Sequence, residues 1–182
     1  MIKALFKFSK LPNNSIVVDT TSNSGQWSGL SPFILSAPPA IRFENLWQFS
    51  KVYHPYMDKN GDPTPTWFEW QLNGFNSDRA HRYPMGKGAI PEYSYWNGQK
   101  LGYIEARKQI YIPEYAKNVV LTDSYKRLEQ LYRQYDGEGK DLILLDYDAY
   151  DHNALGLNLE QVLNNPRRKM GHAFVLIMLL NK

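Results

Sequence analysis

The chain has 182 residues, of which 43% are hydrophobic and 21% charged, and these values are ordinary for one globular domain. Its formal net charge is +3 and its basic residues are scattered, so composition does not demand a nucleic-acid binder, and an anionic small ligand fits equally well. The absence of cysteine excludes a disulfide framework and a thiolate metal site.

The N-terminal segment and the apolar runs bear on the location of the protein. The chain starts with MIKALFKFSK, which lacks the continuous apolar core and the cleavage signal of a secretory peptide. The longest apolar run, AFVLIMLL from Ala173, is too short to span a bilayer. We therefore predict a cytoplasmic protein with no membrane partner.

Aromatic residues make up 14% of the chain, including 13 Tyr and 5 Trp, which is a high share. Their side chains form flat, rigid walls with polar tips. Such walls suit a site for a planar base or a sugar, and they also suit a small, crowded core.

The first predicted elements are short strands followed by a helix. The β-branched run IVVD at 16–19 indicates a strand within residues 2–20, and the segment TTSNSGQWSG after it is a turn-rich connection. Pro38 and Pro39 then favour extended backbone before a helix predicted from Arg42 to Tyr53.

Three polar residues of this helix, Glu44, Gln48 and Lys51, follow the spacing i, i+4 and i+7, which places them on one stripe. Trp47 shares that surface. An acid, an indole, an amide and an amine together indicate a pocket wall. The alternative interpretation is a solvated helix face, with the aromatic and apolar side chains of the helix in the core.

A loop and a second helix follow. The segment DKNGD lacks the remaining ligands and the closing glutamate of an EF-hand, so we interpret it as a surface turn. Thr64 and Pro65 have the positions of an N-cap and a first helical residue, which predicts a helix that ends near Gly74. Trp67 and Trp70 lie three residues apart on it and are predicted core residues.

The glycine-containing loop within 77–97 is a candidate anion site. Arg82 and Lys87 lie in the segment RYPMGKG, in which two glycines flank the lysine. The leading glycine and the Ser or Thr of a Walker A loop are missing, which excludes that motif. Exposed amides in such a loop can hold a phosphate or a carboxylate. A plain connecting loop is the alternative.

The second half of the chain is predicted to be mainly helical. A helix over 101–111 is interrupted at 112–113 by an Ile-Pro pair, and an amphipathic helix covers 124–135. A short helix is capped by Asn158, and a last apolar helix begins at Lys169.

A cluster of acids follows a predicted buried strand at 142–145. Asp146, Asp148 and Asp151 come directly after it, and strand ends often carry catalytic carboxylates. A bound divalent metal is a second interpretation. In a third, these acids cap the following turn and pair with the basic residues at 167–169.

Strands and helices alternate irregularly along the chain, which favours an α+β fold over a doubly wound α/β fold. We predict one compact domain over residues 1–182, mostly helical with a few short strands. We interpret His172, on the last helix, as a core histidine rather than a ligand.

The segment at about residues 28–53 resembles the NADAR family, also called the YbiA-like N-glycosidases. Members contain S-N-F and then, on a helix, E-H-x-F-Q-A-x-K. Residues 31–33 (Ser-Pro-Phe) stand for the first motif. The second motif is represented by Glu44, Asn45, Trp47, Gln48 and Lys51. Asn45 replaces the family histidine. The segment MGHAFVLIM from Met170 is similar to the family's closing helix, although the arginine after it is absent.

The resemblance implies the fold of that family and hydrolysis of an N-glycosidic bond between ribose and a base or amine. The substrate would be an ADP-ribosylated or phosphoribosylated small molecule or a nucleic-acid base, and we predict neither a cofactor nor a metal. The transition state of this reaction is oxocarbenium-like, and a carboxylate beneath C1 stabilises it. We assign this role to Glu44, with Asp146 or Asp148 as the second carboxylate.

The remaining roles follow from residue type. Trp47 would lie against the base or ribose, Gln48 would hold hydroxyls, and Lys51 would contact a ribose phosphate or hydroxyl. Arg82 and Lys87 would bind the phosphate or diphosphate.

Two further classes of function remain open from the sequence. The same aromatic and basic residues could bind a nucleotide-derived ligand or a nucleic acid without cleaving it. A purely structural or partner-binding protein would bind none of these ligands.

Overall fold

A computed structural model describes residues 1–182 and contains six strands and seven α-helices. The strands are β1 (Ile2–Phe6), β2 (Ser15–Asp19), β3 (Lys51–Val52), β4 (Tyr93–Trp96), β5 (Gln99–Leu101) and β6 (Asp141–Asp146). The α-helices are α1 (Phe43–Gln48), α2 (Pro65–Phe75), α3 (Tyr103–Ala106), α4 (Ile112–Val119), α5 (Asp123–Asp136), α6 (Leu159–Leu163) and α7 (His172–Leu180). The predicted mixture of helices with a few short strands, an α+β composition, is confirmed.

The central sheet is parallel, with β6 between β1 and β2. Ile2 of β1 and Ile16 of β2 both lie opposite Leu142. Leu142 and Leu144 face the main hydrophobic cluster, whereas Ile143 faces the other side of the sheet. Burial on both faces is what a central parallel strand requires, and the predicted strand at 142–145 is confirmed.

The second sheet is antiparallel, in the order β3-β4-β5. Asn97 and Gly98 form the turn between β4 and β5, with φ angles of 49° and 75°. Asn-Gly is the residue pair that tolerates such a left-handed turn, which joins two strands directly. This hairpin lies in a segment for which the sequence indicated only a loop.

The predicted helix from Arg42 to Tyr53 is too long. Helix α1 ends at Gln48, and the Ser50 hydroxyl donates a hydrogen bond to the Trp47 carbonyl at 2.7 Å, satisfying one of the carbonyls at the helix end. Lys51 then begins β3 and lies opposite Ser94 of β4. The predicted position of Lys51 on the helix is therefore wrong, because Lys51 pairs with β4 in the antiparallel sheet.

The predicted break at 112–113 is also wrong. Helix α3 continues through a π-helical segment, Arg107–Tyr111, directly into α4. Pro113 lies in the first turn of α4, inside this continuous helix, where its missing N–H removes one backbone hydrogen bond. The wider π turn before it lets the chain remain helical.

The helices with strong local start signals are where the sequence placed them. Thr64 caps α2, and its side chain accepts a hydrogen bond from the Trp67 amide at 3.3 Å. Asn158 caps α6 in a full capping box. Helix α5 begins at Asp123, within a residue of the predicted start, but α7 begins at His172 rather than at Lys169.

The core joins distant parts of the chain. Its main cluster contains 31 buried residues and takes in both ends of the chain, from Ile2 to Leu180. Trp67 is fully buried, as predicted, whereas Trp70 is half-buried and packs against the cluster. No helix has both the length and the apolar character needed to cross a bilayer.

Candidate functional site

A cleft of about 360 Å³ lies beside α1. Its walls come from α1, the loop at 82–90, the helical stretch at 103–111 and the segments that carry Asp148 and Lys169. Of the residues predicted from sequence, the cleft brings together Glu44, Trp47, Gln48, Lys51, Arg82 and Asp148.

The start of α1 is fixed by backbone hydrogen bonds to the turn-containing segment that precedes it. The Phe43 amide donates to the Leu35 carbonyl at 2.8 Å, and the Glu44 amide donates to the Pro32 carbonyl at 3.0 Å. These bonds satisfy two helix-start amides that no residue within the helix can satisfy. The Ser-Pro-Phe segment therefore sets where Glu44 enters the cleft.

The polar side chains of the α1 wall form a chain of hydrogen bonds. The Gln48 amide nitrogen donates to Glu44 Oε1 at 3.0 Å, and Lys51 Nζ donates to Gln48 Oε1 at 3.0 Å. Gln48 thus separates the acid from the amine and orients both. Lys51 keeps its place in this row even though it lies on β3.

Burial shifts the pKa values of Glu44 and Lys51, the two ionisable groups at the ends of this row. It raises the pKa of Glu44, and the Gln48 hydrogen bond and the charges of Lys51 and Arg82 only partly offset this. Burial also lowers the pKa of Lys51 to about 8, helped by the charge of Lys169 and opposed by that of Glu44. The pKa values of both groups are therefore closer to neutral pH than those of exposed glutamate and lysine side chains.

Trp47 forms an aromatic wall beside Lys51. Its ring meets the ring of Tyr111 edge to face, with centroids 5.0 Å apart, and Lys51 Nζ lies 5.2 Å from the Trp47 ring centroid. Only 9% of Trp47 is exposed. The indole is therefore held in a fixed orientation at the edge of the core.

Arg82 and Asp148 form an ion pair across the cleft. One guanidinium nitrogen, Nη2, lies 3.2 and 3.3 Å from the two carboxylate oxygens. Both side chains are about one-third exposed, so solvent weakens their attraction. The pair keeps a carboxylate and a guanidinium near Glu44, and the charge of Asp148 adds to the rise in the Glu44 pKa.

Asn45 does not face the cleft but fixes the loop that supplies Arg82. Its side-chain oxygen accepts a hydrogen bond from the His81 amide at 2.8 Å, and its side-chain nitrogen donates to the Arg79 carbonyl at 2.8 Å. Asn45 is fully buried. Asn45 therefore has a positioning role.

A second, smaller cavity of about 60 Å³ adjoins the cleft. Glu44, Arg82, Tyr111 and Asp148 line both spaces and so form the boundary between them. Ser31 is among the residues on the far side and is 1% exposed. By volume this cavity holds a few water molecules or one small polar group.

Asp146 lines only the smaller cavity, and its carboxylate already has protein partners. It accepts hydrogen bonds from the Ala173 amide at 3.1 Å and the Asp148 amide at 3.3 Å, and it lies 3.1 Å from His172 Nδ1. The other ring nitrogen of His172 lies 3.0 Å from the Thr20 carbonyl. Asp146 thus joins β6 to the start of α7, and His172 is the buried, hydrogen-bonded core histidine that the sequence indicated.

The two remaining acids after β6, Asp148 and Asp151, have different partners. Asp151 caps a turn, in line with the third interpretation of these acids, by accepting a hydrogen bond from the Ala154 amide at 3.0 Å. Asp148 pairs with Arg82 rather than with a basic residue of 167–169. The structure contains no group of three or more His, Asp or Glu side chains arranged to hold a metal ion.

Lys87 is exposed and does not line the cleft, although the glycines on both sides of it do. The residues of the cleft that sequence reasoning missed include Tyr103, Arg107, Tyr111 and Lys169. The first three come from a stretch for which the sequence predicted only a helix, and Lys169 comes from a segment interpreted as the start of α7. No local motif distinguishes them, because tertiary packing brings them to the cleft.

Comparisons with known proteins leave the geometry as the main guide to function. No protein-family model, curated protein or solved structure matches the chain.

Proposed function

We propose that this protein is an N-glycosidase that hydrolyses the bond between a ribose and a base or amine in a phosphate-bearing substrate. The observation that carries this proposal is the position of Glu44, a buried carboxylate between a large cleft and a small polar cavity. The sequence motif around it resembles that of the NADAR family, and we propose a related, YbiA-like fold.

In the proposed reaction, C1 of the ribose lies next to Glu44, with the rest of the substrate in the large cleft. The carbon–nitrogen bond breaks with its electron pair leaving on nitrogen, and the carboxylate stabilises the positive charge that develops on the sugar. A water molecule from the small cavity adds its oxygen to C1. Glu44 takes the proton from this water and delivers it to the departing nitrogen.

Two features of the site support this assignment. The raised pKa of Glu44 makes its carboxylate a stronger base than an exposed glutamate, which suits proton transfer from water. Asp148 is the better second carboxylate, because it faces the cleft and one of its neighbours is Arg82, whereas Asp146 is held by α7. Asp148 would orient the water.

The other cleft residues would bind the substrate. Trp47 and Tyr111 offer rigid aromatic surface to the base or ribose, and Gln48 offers its amide to sugar hydroxyls. Lys51 and Arg82 carry charge that suits phosphate.

A second candidate function is binding without hydrolysis. Asn45 stands at the position of the family histidine, so this chain has no imidazole there. The Asn45 side chain instead holds the loop at 79–82 by hydrogen bonds. A module that sequesters a nucleotide-derived ligand would need the aromatic wall and the basic groups, but not the carboxylate at C1.

Product release with a matched variant separates the two functions. The purified protein is incubated with ADP-ribosylated guanine nucleotides and ribosylamino pyrimidine phosphates, and free base or sugar is followed by mass spectrometry. An enzyme releases product, and Glu44→Gln lowers release by about 10³-fold while ligand binding remains, since glutamine keeps the shape and still accepts from Gln48. Binding without release by the wild type would favour the sequestering module, and neither binding nor release would contradict both functions.

A further inference from the structure

The basic side chains that line the cleft differ in whether a carboxylate neutralises their charge. The four basic lining residues are Lys51, Arg82, Arg107 and Lys169. Arg82 faces Asp148, whereas Lys51 donates only to the neutral amide oxygen of Gln48. Lys169 forms no hydrogen bond or salt bridge, and its Nζ lies 5.8 Å from the centroid of the Tyr83 ring. Two ammonium groups thus lie on the cleft without a carboxylate partner.

Arg107 explains how Lys169 is brought to the cleft. Arg107 is 2% exposed, and its guanidinium donates to the carbonyls of Leu163 at 3.0 Å, Asn165 at 2.9 Å and Arg168. A buried guanidinium with this many acceptors stabilises one conformation of the segment. The carbonyl of Arg168 is the last backbone acceptor before Lys169, so Arg107 fixes the backbone that carries this lysine.

The glycine-containing loop also lines the cleft, through Gly86 and Gly88. Gly86 and Gly88 line the cleft with φ angles of +93° and +88°, which favour glycine over residues with a side chain. The amides of Lys87 and Gly88 donate to no acceptor within the chain, although neighbouring amides of the loop do. Unused amides in such a turn are a common element of anion sites.

We propose that Lys51 and Lys169 form the two sides of a binding site for a phosphate group with at least two negative charges, such as a diphosphate. The loop at 86–88 provides its third side. Both Lys87 and Lys169 are exposed, but only Lys169 lines the cleft, so Lys169 is the main rim residue that attracts the anion. This site lies in the cleft of the proposed function, but its existence does not require that a glycosidic bond be cleaved.

The physical reason is the repulsion between the two ammonium groups. Like charges that share a partly desolvated cleft oppose each other, and the charge of Lys169 helps to lower the pKa of Lys51. An anion between the two lysines adds two attractions, which offset this repulsion. A doubly charged group satisfies both lysines, whereas a single chloride ion leaves a net positive charge.

Titration with inorganic pyrophosphate tests the site without any assumption about the sugar or base. Binding is measured by calorimetry at pH 7 and constant ionic strength, because salt screens exposed charges. We expect Lys169→Gln to weaken binding by about tenfold or more. Lys126→Gln, on the exposed outer face of α5, is the matched control and should change the affinity by less than about twofold.

The inference is overturned if Lys169→Gln binds pyrophosphate as tightly as the wild type, or if the wild type does not bind it at about 10 mM. It is also overturned if Lys87→Gln loses as much affinity as Lys169→Gln. Arg107→Lys adds a test of positioning: we expect weaker pyrophosphate binding, with normal folding confirmed by circular dichroism. An Arg107→Lys protein that folds and binds pyrophosphate normally would show that Arg107 does not position Lys169. The Lys169→Gln variant alone would then decide whether the anion site exists.

Failure of this site and failure of the proposed function give different results. If base release occurs while pyrophosphate does not bind, the anion site is wrong and the glycosidase assignment stands. If pyrophosphate binds through Lys169 while no substrate releases base, the anion site stands and the glycosidase assignment is wrong.

Discussion

Glu44 and Asp146 are both buried carboxylates at the boundary of the same small cavity, with exposures of 9% and 4%. Their partners differ. Asp146 accepts from two backbone amides and lies against His172, whereas Glu44 accepts one hydrogen bond, from Gln48. Buried charges normally have their full set of partners. The incomplete set at Glu44 leaves an oxygen for a ligand, whereas Asp146 serves to connect β6 with α7.

The largest expected effect tests the functional side of this comparison. In Glu44→Gln, the side chain cannot take a proton from water, so base release should fall by about 10³-fold. Retention of ligand binding, measured by calorimetry, shows that the cleft is intact. A variant with normal base release would mean that Glu44 is only a buried structural acid.

The structural side of the comparison is tested by Asp146→Asn. The change replaces one carboxylate oxygen with an NH2 group, which cannot accept the hydrogen bonds that Asp146 receives from buried donors, so we expect the free energy of unfolding to fall by about 3 kcal/mol. Urea unfolding measures the loss. If stability is unchanged and base release is lost, Asp146 and Glu44 have the reverse of the roles that we assign.

A glycine next to Asp146 sharpens this point. A Cβ atom on residue 171 would collide with the Asp146 carboxylate, which its other partners hold in place. Gly171→Ala should therefore lower the free energy of unfolding by about 2 kcal/mol. The control is Gly137→Ala at the end of α5, where an added Cβ meets no atom within 4 Å and φ is −68°. Equal stabilities for the two variants would show that the carboxylate can move.

The same contrast explains how much of the molecule the sequence could predict. The caps Thr64 and Asn158 act within one turn, so the starts of α2 and α6 were predictable. Strand β3 is two residues long, and it places Lys51 opposite Ser94, a residue far along the chain. Sequence periodicity carries no information about such a distant partner.

The site shows the same division between local and distant causes. Glu44, Trp47 and Gln48 lie on one short helix, so their shared surface follows from spacing. Asp146 and Asp148 look equivalent in sequence, and only the hydrogen bond from Ala173 and the ion pair with Arg82 distinguish them. Lys169 was not predictable, since the carbonyls that bind Arg107 place it in the cleft through tertiary contacts.

The smallest expected effect concerns the other end of the row that begins at Glu44. Lys51 has a pKa of about 8, so it loses its proton and its charge as the pH rises through that value. Relative to Lys51→Arg, the wild type should therefore lose pyrophosphate affinity between pH 7 and pH 9, by less than the loss in Lys169→Gln. Lys51→Arg keeps a positive charge over this range, and its affinity should follow only the ionisation of the ligand. Identical pH profiles for the two proteins would show that Lys51 takes no part in anion binding. A loss of pyrophosphate affinity in the wild type that Lys51→Arg does not share would show that Lys51 contacts the anion. Lys51 would then resemble Glu44, as a buried group whose protein partners leave it able to interact with a ligand.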